Sequence, residues 1–259
     1  MSASVQLPTW AGRVVLGDGL VAYDGPGSVA DRHVHHSVQL VWSFGRPVTV
    51  ELSRRSLRRT AMLVPAGEPH RVTASDDALL LVLVEPAGRQ GRLLQRAAND
   101  LNGTDLAGAL PTPGRSFDSD AASFATACED LVASLVGGER RSVTAELRLE
   151  VRAAIAHINA RLDGVPRLTE AAAVAGISAS RLTHLFSEQV GTPFRRYVLW
   201  ARLRRVAEDV QAGWDLTGAA AAAGFSDSAH LSRVFRSTFG LAPSQVLPHC
   251  EIVSPLAGT

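Results

Sequence analysis

The first third of the chain alternates short apolar runs with turn residues. The apolar runs are VQLVWSF (38–44), VTVEL (48–52), AMLVP (61–65) and ALLLVLVEP (78–86). Turn residues such as Gly45, Pro47 and Gly67 separate them. Runs of about four to eight apolar residues at this spacing are typical of strands in an all-β sandwich or barrel. We therefore predict a β-rich domain from about Val14 to Glu85.

From residue 88 onward the apolar positions follow a helical period. The pattern predicts helices over about 89–101, 121–136 and 144–162, with a loop-rich stretch at 102–120. The first two helices either cover the β-domain or form a dimer contact. We place the domain boundary near residue 140. The predicted fold is α+β with two domains, a β-barrel with covering helices (1–140) and an all-α domain (141–259).

The C-terminal part contains an internal repeat. The segment AAAVAGISASRLTHLFSEQVGTP (171–193) aligns with AAAAAGFSDSAHLSRVFRSTFGLAP (219–243). Each copy has an Ala-rich helix, a glycine turn, a helix N-cap (Ser178, and Ser226 or Asp227) and a second helix, at about 179–190 and 228–239. This order is typical of a helix-turn-helix unit. A solenoid would need at least three copies.

Apolar spacing assigns the faces of the two second helices. Leu182, Leu185 and Phe186 form the core stripe of the first, and Leu231, Val234 and Phe235 that of the second. A single helix with this pattern is more often part of a hydrophobic core than a DNA-recognition helix. The presence of two copies with matching N-caps favours DNA binding. The opposite faces are predicted to contact DNA through Ser180, Thr183, His184, Ser187, Ser228, Ala229, Ser232, Arg233 and Arg236. Arginine donates two hydrogen bonds to guanine, and Arg236 could reach phosphate instead.

A long helix joins the two copies, from Pro193 to about Ala212. If it is continuous, it fixes the two units rigidly, and their second helices could enter successive major-groove turns about 34–36 Å apart. The connector is basic, and we expect its arginines to help hold the DNA backbone: Arg195, Arg196, Arg202, Arg204 and Arg205.

At these residues the chain resembles the AraC/XylS family of bacterial transcription regulators. The resemblance covers about residues 150–248 and includes GFSDSAHLSRVFRSTFGLAPSQV, which is similar to the family's signature. It implies a DNA-binding domain with two recognition helices, controlled by a variable N-terminal domain. Ser180 and Ala229 stand where a larger contacting side chain is often found, which implies that part of the base readout is weaker or indirect.

Three histidines and a glutamine mark a candidate pocket in the β-rich domain. His33 and His35 lie two residues apart, and His70 follows in Pro65-x-Gly67-x-x-His70. Three converging imidazoles are a metal-ligating arrangement. The pattern also resembles the two motifs of the cupin fold, but Gln39 stands where a glutamate ligand is expected, which weakens metal affinity.

Three interpretations of this pocket remain open. His33, His35, Gln39 and His70 form an effector pocket, with or without a divalent metal on the three histidines. Alternatively, the chain is a metal-dependent cupin enzyme with an appended DNA-binding domain, or the histidines are hydrogen-bonded relics without a ligand. No nucleophile with a partnered base and no phosphate loop stands out, so we expect no catalytic residues.

Composition and charge narrow the class of protein. Of 259 residues, 46% are apolar, which excludes a disordered chain. The whole chain has a net charge of +1, but residues 152–250 carry 11 arginines and 7 acidic residues, a net charge of +4. Two cysteines fit a reducing compartment, and no signal peptide or membrane segment is evident, so we expect a cytoplasmic protein. The expected partners are double-stranded DNA, a small effector, a second copy of the chain and, indirectly, RNA polymerase. A DNA-architectural protein indifferent to sequence is a third alternative.

Overall fold

The computed structural model describes residues 10–17, 19–86, 89–108, 121–137, 147–190 and 192–253. Over these residues the chain forms ten strands in two sheets and nine helices. The strands are β1 (Gly12–Leu16), β2 (Leu20–Pro26), β3 (Val29–His33), β4 (Val38–Ser43), β5 (Val48–Glu51), β6 (Ser56–Arg59), β7 (Ala61–Val64), β8 (His70–Thr73), β9 (Ala78–Val84) and β10 (Cys250–Val253). The first sheet has the order β10-β1-β2-β9-β4-β7, and the second β3-β8-β5-β6.

Strand β9 lies in the middle of the first sheet, between β2 and β4. Its run of apolar residues lacks polar alternation because both faces of the strand are covered. Leu79, Leu81 and Leu83 face the core shared with the second sheet. Leu80 and Val82 face a separate core on the other side. The two-residue period of the strand thus divides one apolar run between two cores.

Two helices cover the outer face of the first sheet. They are α1 (Arg89–Leu101) and α2 (Ala121–Leu135). Leu94 of α1 and Phe124 and Val132 of α2 are buried in the same core as the outward-facing residues of β9. Of the two roles left open by the sequence, the apolar faces of these helices therefore serve the covering role.

The β-rich part is an open two-sheet sandwich in the described residues, which corrects the prediction of a closed barrel. One corner shows the reason. Only Thr60 connects β6 of the second sheet to β7 of the first. The backbone N–H groups of Thr60 and Ala61 donate to the carboxylate of Asp105, at 3.0 and 3.1 Å. The Asp105 carboxylate thus accepts the hydrogen bonds of these two N–H groups, so they need no backbone partner in a neighbouring strand. The two sheets therefore remain separate at this corner.

The helices of the C-terminal part are α3 (Leu149–Asn159), α4 (Leu168–Val174), α5 (Ala179–Val190), α6 (Phe194–Gln211), α7 (Leu216–Ala222), α8 (Ser228–Phe239) and α9 (Pro243–Val246). The two predicted second helices, 179–190 and 228–239, coincide with α5 and α8. The predicted boundary near residue 140 lies outside the described residues. None of the described helices is both long and apolar enough to span a membrane.

The C-terminal part is not wholly helical, which corrects the prediction of an all-α domain. Strand β10 follows α9 and pairs in parallel with β1, with Gly12 opposite Cys250 and Val15 opposite Val253. The chain therefore ends its described course as an edge strand of the N-terminal sheet. The predicted two-part α+β architecture, a β-rich domain followed by helix-turn-helix units, is confirmed.

The two helix-turn-helix units have different cores. We call α4 and α5 unit 1, and α7 and α8 unit 2. Unit 1 packs with α3 and the start of α6 in a core of its own, which includes Leu182 and Phe186. Unit 2 contributes Leu231 and Phe235 to the core that lies between the two sheets. Unit 2 and the N-terminal sheets therefore share one hydrophobic core.

Candidate functional site

Local backbone signals position recognition helix α5 of unit 1. Gly176 has a φ of +69°, a conformation that favours glycine, and it reverses the chain after α4. The N–H of Ile177 donates to the carbonyl of Ala172 at 3.1 Å and closes this turn. The hydroxyl of Ser178 accepts from the N–H of Arg181 at 3.2 Å, which caps α5 as predicted.

Unit 2 repeats this construction with a stronger cap. Gly224 has a φ of +76° and follows α7. The N–H of Phe225 donates to Ala220 at 2.9 Å. Of the two predicted caps, Asp227 is the N-cap of α8, since its carboxylate accepts from the N–H of His230. This hydrogen bond, followed by one from Ser226, lowers the pKa of Asp227, so the cap is ionised and complements the helix dipole.

The predicted base-contacting residues lie on the outer faces of α5 and α8. Ser180, Thr183 and His184 are exposed on α5, and Ser187 is half-buried. On α8, Ala229, Arg233 and Arg236 are exposed, while Ser228 and Ser232 are half-buried. Arg181 is also exposed beside Ser180. The stripe argument omitted Arg181 because it flanks the face opposite the core instead of lying at its centre.

At least three of the five connector arginines make contacts within the protein, and these contacts compete with their predicted role in holding the DNA backbone. Arg196 Nε lies 3.6 Å from the buried carboxylate of Glu85. Arg205 Nε lies 2.9 Å from Asp209. Arg202 donates to the carbonyl of Gly164 and stacks over Phe225 at 6.0 Å, and burial lowers its pKa. The pair of Arg205 lies within α6, whereas Arg196 links α6 to the residue that follows β9 and Arg202 links α6 to the segment between α3 and α4.

The three predicted histidines converge between the two sheets. His33 on β3 and His70 on β8 are register partners, and their ring centroids lie 4.3 Å apart. His35 follows β3, with its ring 4.9 Å from that of His70. Gln39 reaches the cluster from β4 of the other sheet. All four side chains are buried, so the spacing of the two motifs predicted a real cluster.

Hydrogen bonds fix how these imidazoles are protonated. Each Nδ1 faces a backbone carbonyl, that of Asp31 for His33, Ser37 for His35 and Glu68 for His70, at 2.7–2.8 Å. Each Nδ1 therefore carries the proton and donates. Burial, the largest effect, lowers the pKa of all three, to about 4 for His33 and about 3 for His70. The imidazoles are therefore neutral near pH 7, with lone pairs on Nε2.

These lone pairs suit a metal or an amide donor. Gln39 Oε1 lies 2.9 Å from His35 Nε2 and 2.8 Å from His70 Nε2. Since an acceptor cannot satisfy two lone pairs, either the amide presents its nitrogen to both, or a cation joins the oxygen and the imidazoles. The three histidine ligand atoms lie within 4.8 Å of one another. Because tetrahedral zinc ligands lie about 3.4 Å apart, a metal would draw them closer.

A mainly apolar cavity of about 80 Å³ lies beside this cluster. His33 and Gln39 are the members of the cluster that line it. One wall comes from the first sheet and includes Val14, and the other comes from unit 2 and includes Phe235. The cavity thus lies in the core that the sheets and unit 2 share.

The comparisons with known proteins agree with the helical architecture. Residues 171–248 match the family model described as a helix-turn-helix domain. No curated protein matches the chain in sequence. Among solved structures, ToxT from Vibrio cholerae, with an unsaturated fatty acid bound, is similar at 13% identity and a TM-score of 0.48, over 89% of this chain and 94% of that one.

Two further structures match the helical part. An AraC-type transcriptional regulator from Chromobacterium violaceum is similar at 26% identity and a TM-score of 0.35, over 37% of this chain and 87% of that one. The C-terminal domain of AraT, a response regulator from Geobacillus stearothermophilus, has 19% identity and a TM-score of 0.38, over 44% and 95%. The family match confirms the resemblance seen in the sequence: residues 171–248 form an AraC-type helix-turn-helix domain, and the chain is a DNA-binding transcription regulator.

Proposed function

We propose that this regulator reads DNA with both recognition helices and is controlled by a small effector bound next to unit 2. The duplicated, capped helices with polar outer faces carry the first part of the proposal. Helix α6 has 18 residues and therefore spans about 27 Å between the units. Because the ligand is genomic DNA, we place the protein in the cytoplasm.

The two exposed arginines of α8 have different proposed roles. Arg233 occupies the centre of the outer face and contacts a base, whereas Arg236 lies one turn further along and contacts phosphate. Arg233→Ala should cost about 1–3 kcal/mol in binding and relax preference at one base position. Arg236→Ala should weaken binding to all sequences alike. It should also reduce the slope of log affinity against log salt concentration by about 1.

The full-length chain is the right material for this test, since unit 2 shares its core with the sheets. Bound duplexes are selected from a random pool. The affinity of each variant for the most enriched duplex is then measured over a range of salt concentrations. Arg54→Ala, which removes an exposed arginine between β5 and β6, is the matched control and should change neither quantity. A uniform loss of binding with Arg233→Ala would overturn its assignment to a base.

We infer that the effector is a small, mainly apolar molecule with one hydrogen-bonding group. The apolar lining of the cavity supports this class, and His33 and Gln39 supply the polar contacts. Ligand sites typically have volumes of about 300–1,000 Å³, so an effector must widen a cavity of 80 Å³. Widening separates the sheet from unit 2, which gives the effector a direct way to move a DNA-binding element.

The histidine cluster is also a candidate site for a divalent cation. The neutral imidazoles and Gln39 Oε1 would hold it, and a cation bound there would link β3, β4 and β8. The metal content of the purified chain, loaded with Zn²⁺ or Ni²⁺ and dialysed, tests this idea. Gln39→Glu adds an anionic ligand and should raise affinity, whereas His70→Ala should abolish binding. Equal metal content in wild type and His70→Ala would refute the site and leave the cluster as a hydrogen-bonded network.

A role as a cupin enzyme has less support. The cupin motif that the sequence resembles has a glutamate ligand, and Gln39 occupies that place. We therefore propose that the cluster serves regulation. The apolar faces of α1 and α2 pack against the first sheet, so they are not available as a dimer contact. Dimerisation of the chain therefore remains a prediction.

A further inference from the structure

Unit 2 touches the second sheet at the end of its recognition helix. The N–H of Asp31 on β3 donates to the carbonyl of Gly240, which ends α8, at 3.0 Å. Gly240 has a φ of +71°. A methyl group placed there would lie 2.5 Å from both Asp31 O and His33 Nδ1. The close approach of α8 to β3 therefore depends on glycine at this position.

A short strand ties unit 2 to the first sheet as well. We call β10 (Cys250–Val253) the C-terminal strap. It follows unit 2 directly through α9 and pairs in parallel with β1. Glu251 forms an ion pair with Arg13 at 3.3 Å, and Cys250 Sγ donates to the carbonyl of Trp10 at 3.5 Å. The strap thus fastens the far end of unit 2 to the edge of the sheet.

These contacts place the DNA-facing side of α8 in a cleft of about 540 Å³. One wall consists of Ser232, Arg233, Arg236 and Ser237 of α8. The cleft is also lined by Arg32, His33, Val34 and Pro69 of the N-terminal domain. Three of the predicted base- or phosphate-contacting residues thus face protein across the cleft.

A duplex read by α8 would have to enter this cleft. A recognition helix lies in a major groove about 12 Å wide and 8.5 Å deep, so phosphate backbones run along both its sides. Val34 and Pro69 line the same cleft as Arg233 and Arg236, so they compete with a DNA backbone for the space beside α8. Unit 1 differs, because α5 meets the N-terminal domain at its end, where the carbonyl of Val190 lies beside Gly19, and not on the exposed face that carries Ser180, Thr183 and His184.

We propose that this structure is a closed form in which the N-terminal domain masks the second recognition helix, and that the C-terminal strap holds it closed. The proposal rests on the assignment of α8 as a DNA-reading helix. Unit 1 can bind its half-site in the closed form. Unit 2 can do so only after α8 leaves β3 and the strap leaves β1.

A reversible cross-link across the strap tests this proposal in the full chain. Val14 and Ile252 are register partners, and both line the same cavity, so their side chains point to the same side. Neighbouring strands lie about 4.8 Å apart, within the Cα separation that a disulfide spans. Val14→Cys with Ile252→Cys is made in a Cys128→Ala, Cys250→Ala background. Ile252→Cys alone in that background, treated with the same oxidant, is the control.

Two duplexes report on the two units separately. One is the sequence selected by the reduced double-cysteine chain, and the other is the same duplex with the second half-site scrambled. Oxidation should weaken binding to the first duplex tenfold or more, down to the affinity for the second, and reduction should restore it. Unchanged affinity in the oxidised chain, or failure of the cysteines to cross-link, would overturn the proposal. If no sequence is selected at all, the assignment of α8 to DNA fails instead.

Removal of the strap gives the opposite prediction. A chain that stops after His249 should bind the two-half-site duplex more tightly than a chain that stops after Val253. A closed protein whose open state is about 0.1–10% populated gains tenfold or more when that state is released. Binding to the scrambled duplex should be equal for the two chains and shows that unit 1 is folded in both. Equal affinity for the two-half-site duplex would contradict a holding role for the strap.

Discussion

Two glycines in equivalent roles allow the contact between α8 and β3 to be measured. Gly240 has a φ of +71° and Gly176 a φ of +69°, so alanine suffers the same backbone strain at both. That strain is about 1 kcal/mol for an L-residue in the left-handed region. Around Gly176 an added methyl group meets nothing within 4 Å, whereas at Gly240 it meets Asp31 O and His33 Nδ1 at 2.5 Å.

The magnitude of the difference follows from these distances. Carbon contacts are most favourable at about 3.5–4.0 Å, so the methyl group at Gly240 must push its neighbours away by about 1 Å. Asp31 O belongs to the backbone of β3 and cannot rotate aside. Overpacking of this kind costs about 1–3 kcal/mol. We therefore expect Gly176→Ala to lower the free energy of unfolding by about 1 kcal/mol and Gly240→Ala by about 2–4 kcal/mol.

Guanidinium unfolding, followed by circular dichroism and by tryptophan fluorescence, measures both losses. The slope of the transition should stay constant between variants, so that a shift in midpoint reports stability. Equal losses for the two variants would show that α8 does not lie against β3 in solution, and the argument from the shared core would fail with it. Gly240→Ala should also favour the open form and so tighten binding to the two-half-site duplex.

Three further predictions concern single side chains. Phe186 is fully buried against Phe194 and Tyr197, so Phe186→Ala should destabilise unit 1 by about 3–5 kcal/mol in chemical denaturation. Asp227→Ala removes the cap of α8 and should cost about 1 kcal/mol, while Asp227→Asn keeps an acceptor and should cost less; thermal melts compare them. Burial raises the pKa of Glu85 above 4.5 in the folded chain, although Arg196 opposes the shift. The unfolded chain therefore loses this proton first, and stability should fall as the pH rises from 4.5 to the raised pKa. Glu85→Gln should remove that fall in a series of unfolding curves, and an unchanged profile would contradict a raised pKa.

The helix-turn-helix units could be predicted closely because their signals are local. A glycine at the turn, a capping side chain at Ser178 or Asp227, and apolar residues three and four apart all lie within one stretch of the chain. Each of these features depends only on residues close together in the chain, so a short stretch of sequence is enough to predict the helix start, the turn and the buried face. The histidine cluster was predictable for a related reason, since two short motifs placed His33 and His70 on neighbouring strands.

The open sandwich and the strap could not be predicted in this way. Strand β10 has four residues, and it pairs with β1 at the other end of the sequence, Cys250 opposite Gly12. Nothing within a four-residue segment specifies so distant a partner. The corner at Thr60 depends on Asp105, which lies in a segment with no regular structure. Likewise, the use of Arg202 and Arg196 within the protein depends on tertiary neighbours that a helical periodicity does not show.

The repeat itself nevertheless contains a signal for the closed form. A difference in polarity at matched positions of two copies that fold alike indicates different surroundings. At the ends of α5 and α8, Gln189 corresponds to Thr238, and Thr192 to Leu241. Thr238 and Leu241 line the apolar cavity against the first sheet, whereas Gln189 accepts from the backbone of Arg148 and the side chain of Thr192 interacts with the carboxylate of Glu85. The second copy is therefore less polar than the first at the positions that line the cavity, while its exposed face carries the predicted DNA contacts. In the proposed closed form the N-terminal domain and DNA compete for the side of α8 that carries Arg233 and Arg236, and this competition is the physical basis on which an effector can control this regulator.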